Sequence, residues 1–320
     1  MRAARLIGPG RFELGEREVP SPGAGQVLVE IEGCGLCASN LGPWGGIQGI
    51  GYPLDPGAPG HEVYGRVAAV GDGVAHVKAG DAVTALSYNG FADYDLADAG
   101  NVVALPAGLA GRPVLGEPVA CSVNIDRRSG IREGDTVVVL GVGFLGAILT
   151  RLARAHKPAR VIAVSRRRDA LVMAERMGAD QVLAFDEDVP AAVYGATNGQ
   201  GADVVIECTG KQRPLDLGAE LLRVRGRLIV AGYHQDGPRT VNMQLWNWRG
   251  LDVINAHERD PRIYTRGMEE GVRLLADGTL DLEPLLTHFF ALGEINRAFE
   301  LAAARPEGFF KAVVQGEVAA

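Results

Sequence analysis

Cys37, the pair His61-Glu62, and Glu117 are the residues best equipped for chemistry in this chain, and they lie far apart, between positions 37 and 117. A thiol, an imidazole and carboxylates form a mixed S, N and O donor set, which suits a borderline-soft ion such as Zn²⁺. Ligands this scattered make no compact zinc finger, so a fold has to gather them. Such a set with a spare coordination position points to a catalytic metal rather than a structural one. A second chemical signal lies downstream. Gly141-Val-Gly143-Phe-Leu-Gly146 follows the apolar run Thr136-Val-Val-Val-Leu140 and opens an expected helix. In that position GxGxxG is a phosphate-binding fingerprint. Gly141 permits the tight turn, Gly143 lets a pyrophosphate approach the backbone, and Gly146 lets helix and strand pack closely. Phe144 and Leu145 stand at the helix N-terminus, which faces the anion.

The next expected strand, Val161-Ile-Ala-Val164, runs into Ser165, Arg166, Arg167 and Arg168. An NAD site usually carries an acidic residue ~20 positions after the glycines, for the ribose 2′-OH. No carboxylate stands there. A hydroxyl followed by guanidiniums suits a 2′-phosphate. NADP(H) is therefore the expected cofactor, and NAD(H) the alternative if the arginines are only a solvated helix start.

The elements that must position these groups change character along the chain. Up to about residue 115, Gln26–Glu32, Val63–Val70 and Asp81–Ala85 read as half-buried strands, separated by Gly and Pro turns. This half is an irregular, partly closed β domain. From about residue 120, strands and helices alternate. Thr136–Leu140 suits a strand buried on both faces. Ala170, Met173, Ala174 and Met177 fall on one helical face. Further strands are expected at Gln181–Ala184, Asp203–Ile206, Arg227–Val230 and Asp252–Ile254. Such alternation predicts a doubly wound parallel sheet. Open sheets of this kind bind ligands at the carboxyl ends of their strands, so Gly232, Tyr233-His234-Gln235, and Asn255-Ala-His257 are candidates for cofactor or substrate. Helices are expected near 264–276 and 293–303, then a strand at Phe310–Val314 and a frayed tail over 316–320.

Bulk properties narrow the class. The 320 residues exceed what one hydrophobic core usually supports, so two domains are expected. A net charge of −7 argues against nucleic acid as a partner. The N-terminus lacks an apolar leader segment, and the stretch Thr136–Thr150 is too short and too glycine-broken to span a bilayer. Four cysteines in this length are no disulfide framework. A cytoplasmic protein with reduced thiols is expected, with no membrane partner. Cys34-x-x-Cys37 lacks the context of a redox pair. Cys34 and Cys121 read as packing residues, and Cys208 as part of a strand end. His76 reads as solvated, His156 as a helix end, and His288 as structural. Trp44, Trp246 and Trp248 suit either a pocket or a core.

Cys37 sits in Gly33-Cys-Gly-Leu-Cys37-Ala-Ser39-Asn40, His61 and Glu62 in Pro59-Gly-His-Glu62, and Glu117 in Gly116-Glu-Pro118. In this order, ahead of the glycine fingerprint, the chain resembles the zinc-dependent medium-chain dehydrogenase/reductases, and among them the polyol branch. The resemblance runs from Arg2 to about Val314. It implies a GroES-like irregular β-barrel catalytic domain over 1–118, a Rossmann domain over 119–258, and a return to the catalytic domain over 259–320. It implies that Cys37 and His61 ligate zinc, that Glu62 is a ligand or a nearby switching carboxylate, and that Glu117 replaces a second cysteine. Ser39 matches the hydroxyl that passes a substrate proton toward solvent, and Lys311 a basic residue near the cofactor phosphates. The implied reaction is hydride transfer between NADP(H) or NAD(H) and a small polar secondary alcohol or its ketone, with zinc as Lewis acid, in a homodimer or homotetramer. A zinc-free quinone or enone reductase and a non-catalytic NADP(H)-binding protein are the alternatives. The chain departs from the family in three places. No cysteine lies between Cys37 and Cys121, so the structural-zinc lobe is missing and one zinc is expected. Asn40 stands where an aspartate is common. Gly42 stands where some relatives end the proton relay with a histidine.

Overall fold

A computed structural model describes residues 1–316; the expected fraying of the tail lies, beyond Gly316, outside the described residues. The chain divides into two compact units, residues 1–120 with 259–320, and residues 121–258.

Unit 1 begins with a hairpin, β1 (Arg2–Gly8) and β2 (Arg11–Glu16), whose turn is the Gly8-Pro-Gly10 sequence. There follow β3 (Gln26–Gly35), a single-turn helix α1 (Leu41–Trp44), β4 (Glu62–Val70), β5 (Ala82–Ala85), β6 (Tyr94–Asp98) and β7 (Val102–Ala104). Helix α2 (Gly116–Ser129) contains the boundary between the units.

Unit 2 alternates strand and helix: β8 (Thr136–Leu140), α3 (Phe144–Ala155), β9 (Arg160–Ser165), α4 (Arg168–Arg176), β10 (Gln181–Ala184), α5 (Val189–Ala196), β11 (Ala202–Glu207), α6 (Gln212–Leu221), β12 (Leu222–Val230), α7 (Met243–Arg249) and β13 (Asp252–Asn255). The chain then returns to unit 1 with α8 (Pro261–Ala276), β14 (Leu286–Ala291), α9 (Ile295–Ala304) and β15 (Lys311–Gln315).

The sheet of unit 1 has the order β14-β15-β3-β4-β5-β7, with β6 also pairing β3. All its ladders are antiparallel except β14–β15. Its core includes three aromatic rings from distant segments. Phe299 of α9 lies 4.7 Å from Phe12 and 5.5 Å from Phe91. Each phenyl ring so buried contributes about 1.5–3 kcal/mol. Trp44 leans on Phe299 at 6.0 Å and packs, half-buried, against this core.

The sheet of unit 2 is parallel, in the order β10-β9-β8-β11-β12-β13. Counted from β8, that is 3-2-1-4-5-6, the Rossmann order, with the glycine turn after the first strand. Val137–Leu140 and Val161–Val164 are buried, as continuous apolar strands under two helical layers must be. Among the described residues no helix is long and apolar enough to cross a membrane.

Candidate active site

Strand pairing explains how scattered residues meet. In the β3–β4 ladder Gly35 lies opposite Glu62, and in the β15–β3 ladder Val313 lies opposite Gly35. The same end of the sheet therefore carries Cys37 just past β3, His61 just before β4, and Lys311 at the start of β15. The ligand atoms of Cys37, His61 and Glu62 all lie within 4.8 Å of one another. Glu117 is not part of that close group. It lies in the first turn of α2, whose start is tied to Thr84 of β5: the Thr84 hydroxyl donates to the Val63 carbonyl and accepts from the Gly116 N–H, each at 2.9 Å.

The group is held from behind. Asn40, 1% exposed, accepts from the Cys37 N–H at 2.8 Å and donates to the Pro59 carbonyl at 2.8 Å. His61 Nδ1 lies 2.9 Å from the same carbonyl. A carbonyl can only accept, so Nδ1 carries the proton and Nε2 is the nitrogen available to a metal. Burial by itself would lower the His61 pKa. The hydrogen bond and charge of Cys37 outweigh it, Glu117 and Glu62 add to them, and the pKa rises to about 10.

Lys311 is buried and forms an ion pair with Glu62. Its Nζ donates to Glu62 Oε1 and Oε2 at 2.8 and 2.7 Å and to the Leu36 carbonyl at 3.3 Å. The β15–β3–β4 ladder delivers the lysine beside the carboxylate. Burial lowers the Lys311 pKa, but the Glu62 charge dominates and holds it above the ordinary value. Gly35 belongs to this pair, because a Cβ there would lie 2.0 Å from Glu62 Oε2. Ser39 is half-buried in the turn between Cys37 and Asn40.

In unit 2 each glycine of the fingerprint has a separate geometry. Gly141 has φ +92°, and a Cβ there would strike Thr209 at 2.3 Å. A Cβ at Gly146 would lie 2.0 Å from the Gly141 carbonyl, while one at Gly143 would meet nothing within 4 Å. The open side at Gly143, beside the amides of Phe144 and Leu145 that start α3, is the space a pyrophosphate needs. Ser165 is buried at the end of β9 and Arg166 is exposed. The Arg167 guanidinium lies 3.2 Å from Asp169 in the first turn of α4. Gly232 is required by backbone contact, since a Cβ there would lie 2.2 Å from the Gly210 nitrogen. Asn255 ends β13 and accepts from the His257 N–H at 3.1 Å.

Other polar candidates have structural partners. His234 is engaged by Glu207 and Arg239. His257 stacks on Tyr233. Trp246 packs on the core of unit 2, and Trp248 is 87% exposed. Sequence reasoning missed the partnership of Lys311 with Glu62 and the role of Thr84. The one available signal was Lys311 inside the apolar run Phe309–Val314, a charge that has to find a counter-charge.

The donor set in unit 1 and the glycine turn in unit 2 are chemically what zinc and a dinucleotide require. The family model described as an alcohol dehydrogenase GroES-like domain matches residues 23–150, and that of the zinc-binding dehydrogenases matches residues 145–271. A sorbitol dehydrogenase of Halalkalibacterium halodurans is 27% identical, covering 91% of this chain and 92% of its own. An erythritol/L-threitol dehydrogenase of Mycolicibacterium smegmatis is 29% identical, covering 96% and 95%. The crystal structure of galactitol-1-phosphate dehydrogenase from Escherichia coli shares the fold with a TM-score of 0.85 at 22% identity, covering 98% of this chain and all of that one. Two adjoining family models, the Rossmann strand order and the Cys37–His61–Glu62 group agree: the chain belongs to the zinc-dependent medium-chain dehydrogenase/reductase superfamily.

Proposed function

We propose that this protein is an oxidoreductase of CH–OH donors that moves hydride between a polar secondary alcohol, of polyol or sugar type, and NADP(H), with one zinc per chain. The observation that carries the reading is the convergence of Cys37, His61 and Glu62 within 4.8 Å. When bound, zinc supplies a Lewis acid that acidifies a substrate hydroxyl, and the nicotinamide exchanges the hydride. The chain's own residues prepare this. Cys37 and His61 Nε2 are the fixed ligands, oriented by Asn40 and the Pro59 carbonyl. Glu62, whose carboxylate Lys311 already holds, and Glu117 are the two candidates for the third protein ligand. Ser39 takes the substrate proton. The substrate class follows the sorbitol and erythritol/L-threitol dehydrogenases among the relatives.

Arg166 is assigned to the 2′-phosphate, because Arg167 is committed to Asp169. The test is metal analysis together with NADPH- and NADH-linked turnover on a panel of polyols, simple alcohols and their ketones. Cys37→Ser should lose zinc and turnover together, and Arg166→Ala should raise KM for NADP⁺ but not for NAD⁺. Full turnover by a metal-free protein would refute the zinc assignment. An unchanged KM ratio in Arg166→Ala would refute the cofactor assignment.

A further inference from the structure

Unit 2 holds a buried carboxylate that the reading above does not use. Glu207 ends β11 and is 0% exposed. Its Oε1 accepts from the Thr209 N–H at 2.6 Å, from the Gly210 N–H at 3.0 Å, and from the Thr209 hydroxyl. Its Oε2 lies 3.0 Å from His234 Nε2. On the far side of the ring, Arg239 Nε donates to His234 Nδ1 at 2.8 Å. Arg239 also donates to the Gly210 carbonyl at 2.8 Å, and to Asp236.

Proton directions follow from these contacts. A guanidinium only donates, so His234 Nδ1 is bare and Nε2 carries the hydrogen. That hydrogen needs an acceptor, and Glu207 Oε2 provides it. The chain of donors and acceptors from Arg239 through His234 to Glu207 therefore has one polarity. It ends on the amides of residues 209 and 210.

Those amides belong to the wall of the glycine turn. Thr209 packs where a Gly141 Cβ would be, and Cys208 Cβ would lie 3.6 Å from a Cβ at Gly146. Gly232 packs on Gly210 from the other side and donates to the Glu207 carbonyl at 2.7 Å. Movement of the 208–210 segment would shift the surface on which the turn at residues 141–146 rests.

We propose that Glu207 is a positioning residue of the dinucleotide site, and that His234 and Arg239 hold it in place. Glu207 fixes the 208–210 segment and thereby the glycine turn, so it sets dinucleotide affinity without touching the dinucleotide. This rests on the reading of Gly141–Gly146 as a dinucleotide loop.

The experiment compares wild type with His234→Leu, His234→Gln and Glu207→Gln. NADPH affinity is read by fluorescence titration, and steady-state kinetics and thermal midpoints are measured alongside. Glutamine at 234 can still accept from Arg239 and donate to Glu207, whereas leucine can do neither. In Glu207→Gln the new amide N–H₂ faces His234 Nε2–H, donor against donor. His234→Leu and Glu207→Gln should bind NADPH about tenfold more weakly, the effect of one charge-assisted hydrogen bond. The loss should fall on KM for the dinucleotide rather than on kcat, and His234→Gln should recover most of the affinity. If Glu207→Gln fails to fold, the His234 pair still decides. Wild-type affinity in His234→Leu overturns the proposal, as does a His234→Gln no better than His234→Leu. A wild-type protein that binds neither NADPH nor NADH would instead overturn the dinucleotide reading itself.

Discussion

Replacing Lys311 by methionine tests the metal pocket at its most exposed energetic point. The two side chains of the Lys311–Glu62 pair are 5% and 0% exposed, and Nζ lies 2.7 and 2.8 Å from the two carboxylate oxygens. Both groups gave up hydration on folding and recover it from each other and from the Leu36 carbonyl. Methionine keeps most of the aliphatic stem, so the change is chiefly electrostatic. An ion pair in water would be worth about 0–1 kcal/mol. Breaking a buried pair by removing one partner costs about 3–5 kcal/mol, because the other charge is left uncompensated. An escape route limits the loss. Neutralising a glutamate at pH 7 costs about 4 kcal/mol from its ordinary value of ~4.3. We therefore expect metal-free Lys311→Met to be less stable than wild type by about 3–4 kcal/mol at pH 7.

The assay is urea unfolding of the metal-free and zinc-loaded proteins, with Glu62→Gln/Lys311→Met closing a double-mutant cycle. Glu62 belongs to the same close group as Cys37 and His61. A zinc ion should thus replace the missing ammonium, and the loaded variant should lose less than the metal-free one. A metal-free loss below about 1 kcal/mol would place the pair in the surface class and refute the reasoning. So would an equal loss in both states.

The two tight glycines of the dinucleotide turn should fail differently from the open one. Gly146→Ala places a methyl 2.0 Å from a carbonyl oxygen and should lower the thermal midpoint. Gly143→Ala meets nothing within 4 Å, so it should keep that midpoint while weakening NADPH binding; equal midpoints for the two variants would contradict this. Zinc binding at pH 7.5 should release a proton. The His61 pKa of about 10 means that the metal-free ring is protonated, and its Nε2 has to be bare to take the metal. Calorimetry in buffers of different ionisation enthalpy measures that release, and a binding enthalpy independent of buffer would refute it. Asp93 has burial working to raise its pKa, yet the Arg2 side chain and backbone N–H bonded to it hold it low. A depressed carboxyl pKa stabilises the fold above the unfolded value of ~3.9 and loses that contribution as pH falls through the folded value. Asp93→Asn should therefore cost about 1 kcal/mol or less at pH 7, since the pair is partly solvated, and converge with wild type in acid; a gap that persists in acid would refute this.

Local signals in the sequence were read well, and non-local ones poorly. Thr136–Leu140 announces a buried parallel strand by its composition, and the glycine turn follows it within one residue, so the dinucleotide half of the chemistry is written in adjacent positions. The hairpin β1–β2 was not anticipated, although Gly8-Pro-Gly10 marks its turn, because Arg2–Gly8 lacks a clean alternation. The contact between Lys311 and Glu62 joins residues 249 positions apart. No period or spacing encodes such a pair; only the order β15-β3-β4 does. Arg167 illustrates a further limit. Its commitment to Asp169 is a side-chain choice between a helix partner two residues on and an outside ligand, and composition cannot decide between them.

The charges around Cys37 suggest why this pocket can exist before a metal arrives. Two buried carboxylates, Glu62 and Glu117, would by themselves repel each other and resist burial. Two cations oppose them: Lys311, kept charged against burial by Glu62, and the His61 ring, whose raised pKa keeps it protonated at neutral pH. In the proposed zinc site, metal uptake would exchange the proton on His61 for a larger positive charge. On the proposed zinc reading, Glu62 would meet the added charge only as its hold on Lys311 loosens. Lys311 therefore sets how readily Glu62 could serve a metal.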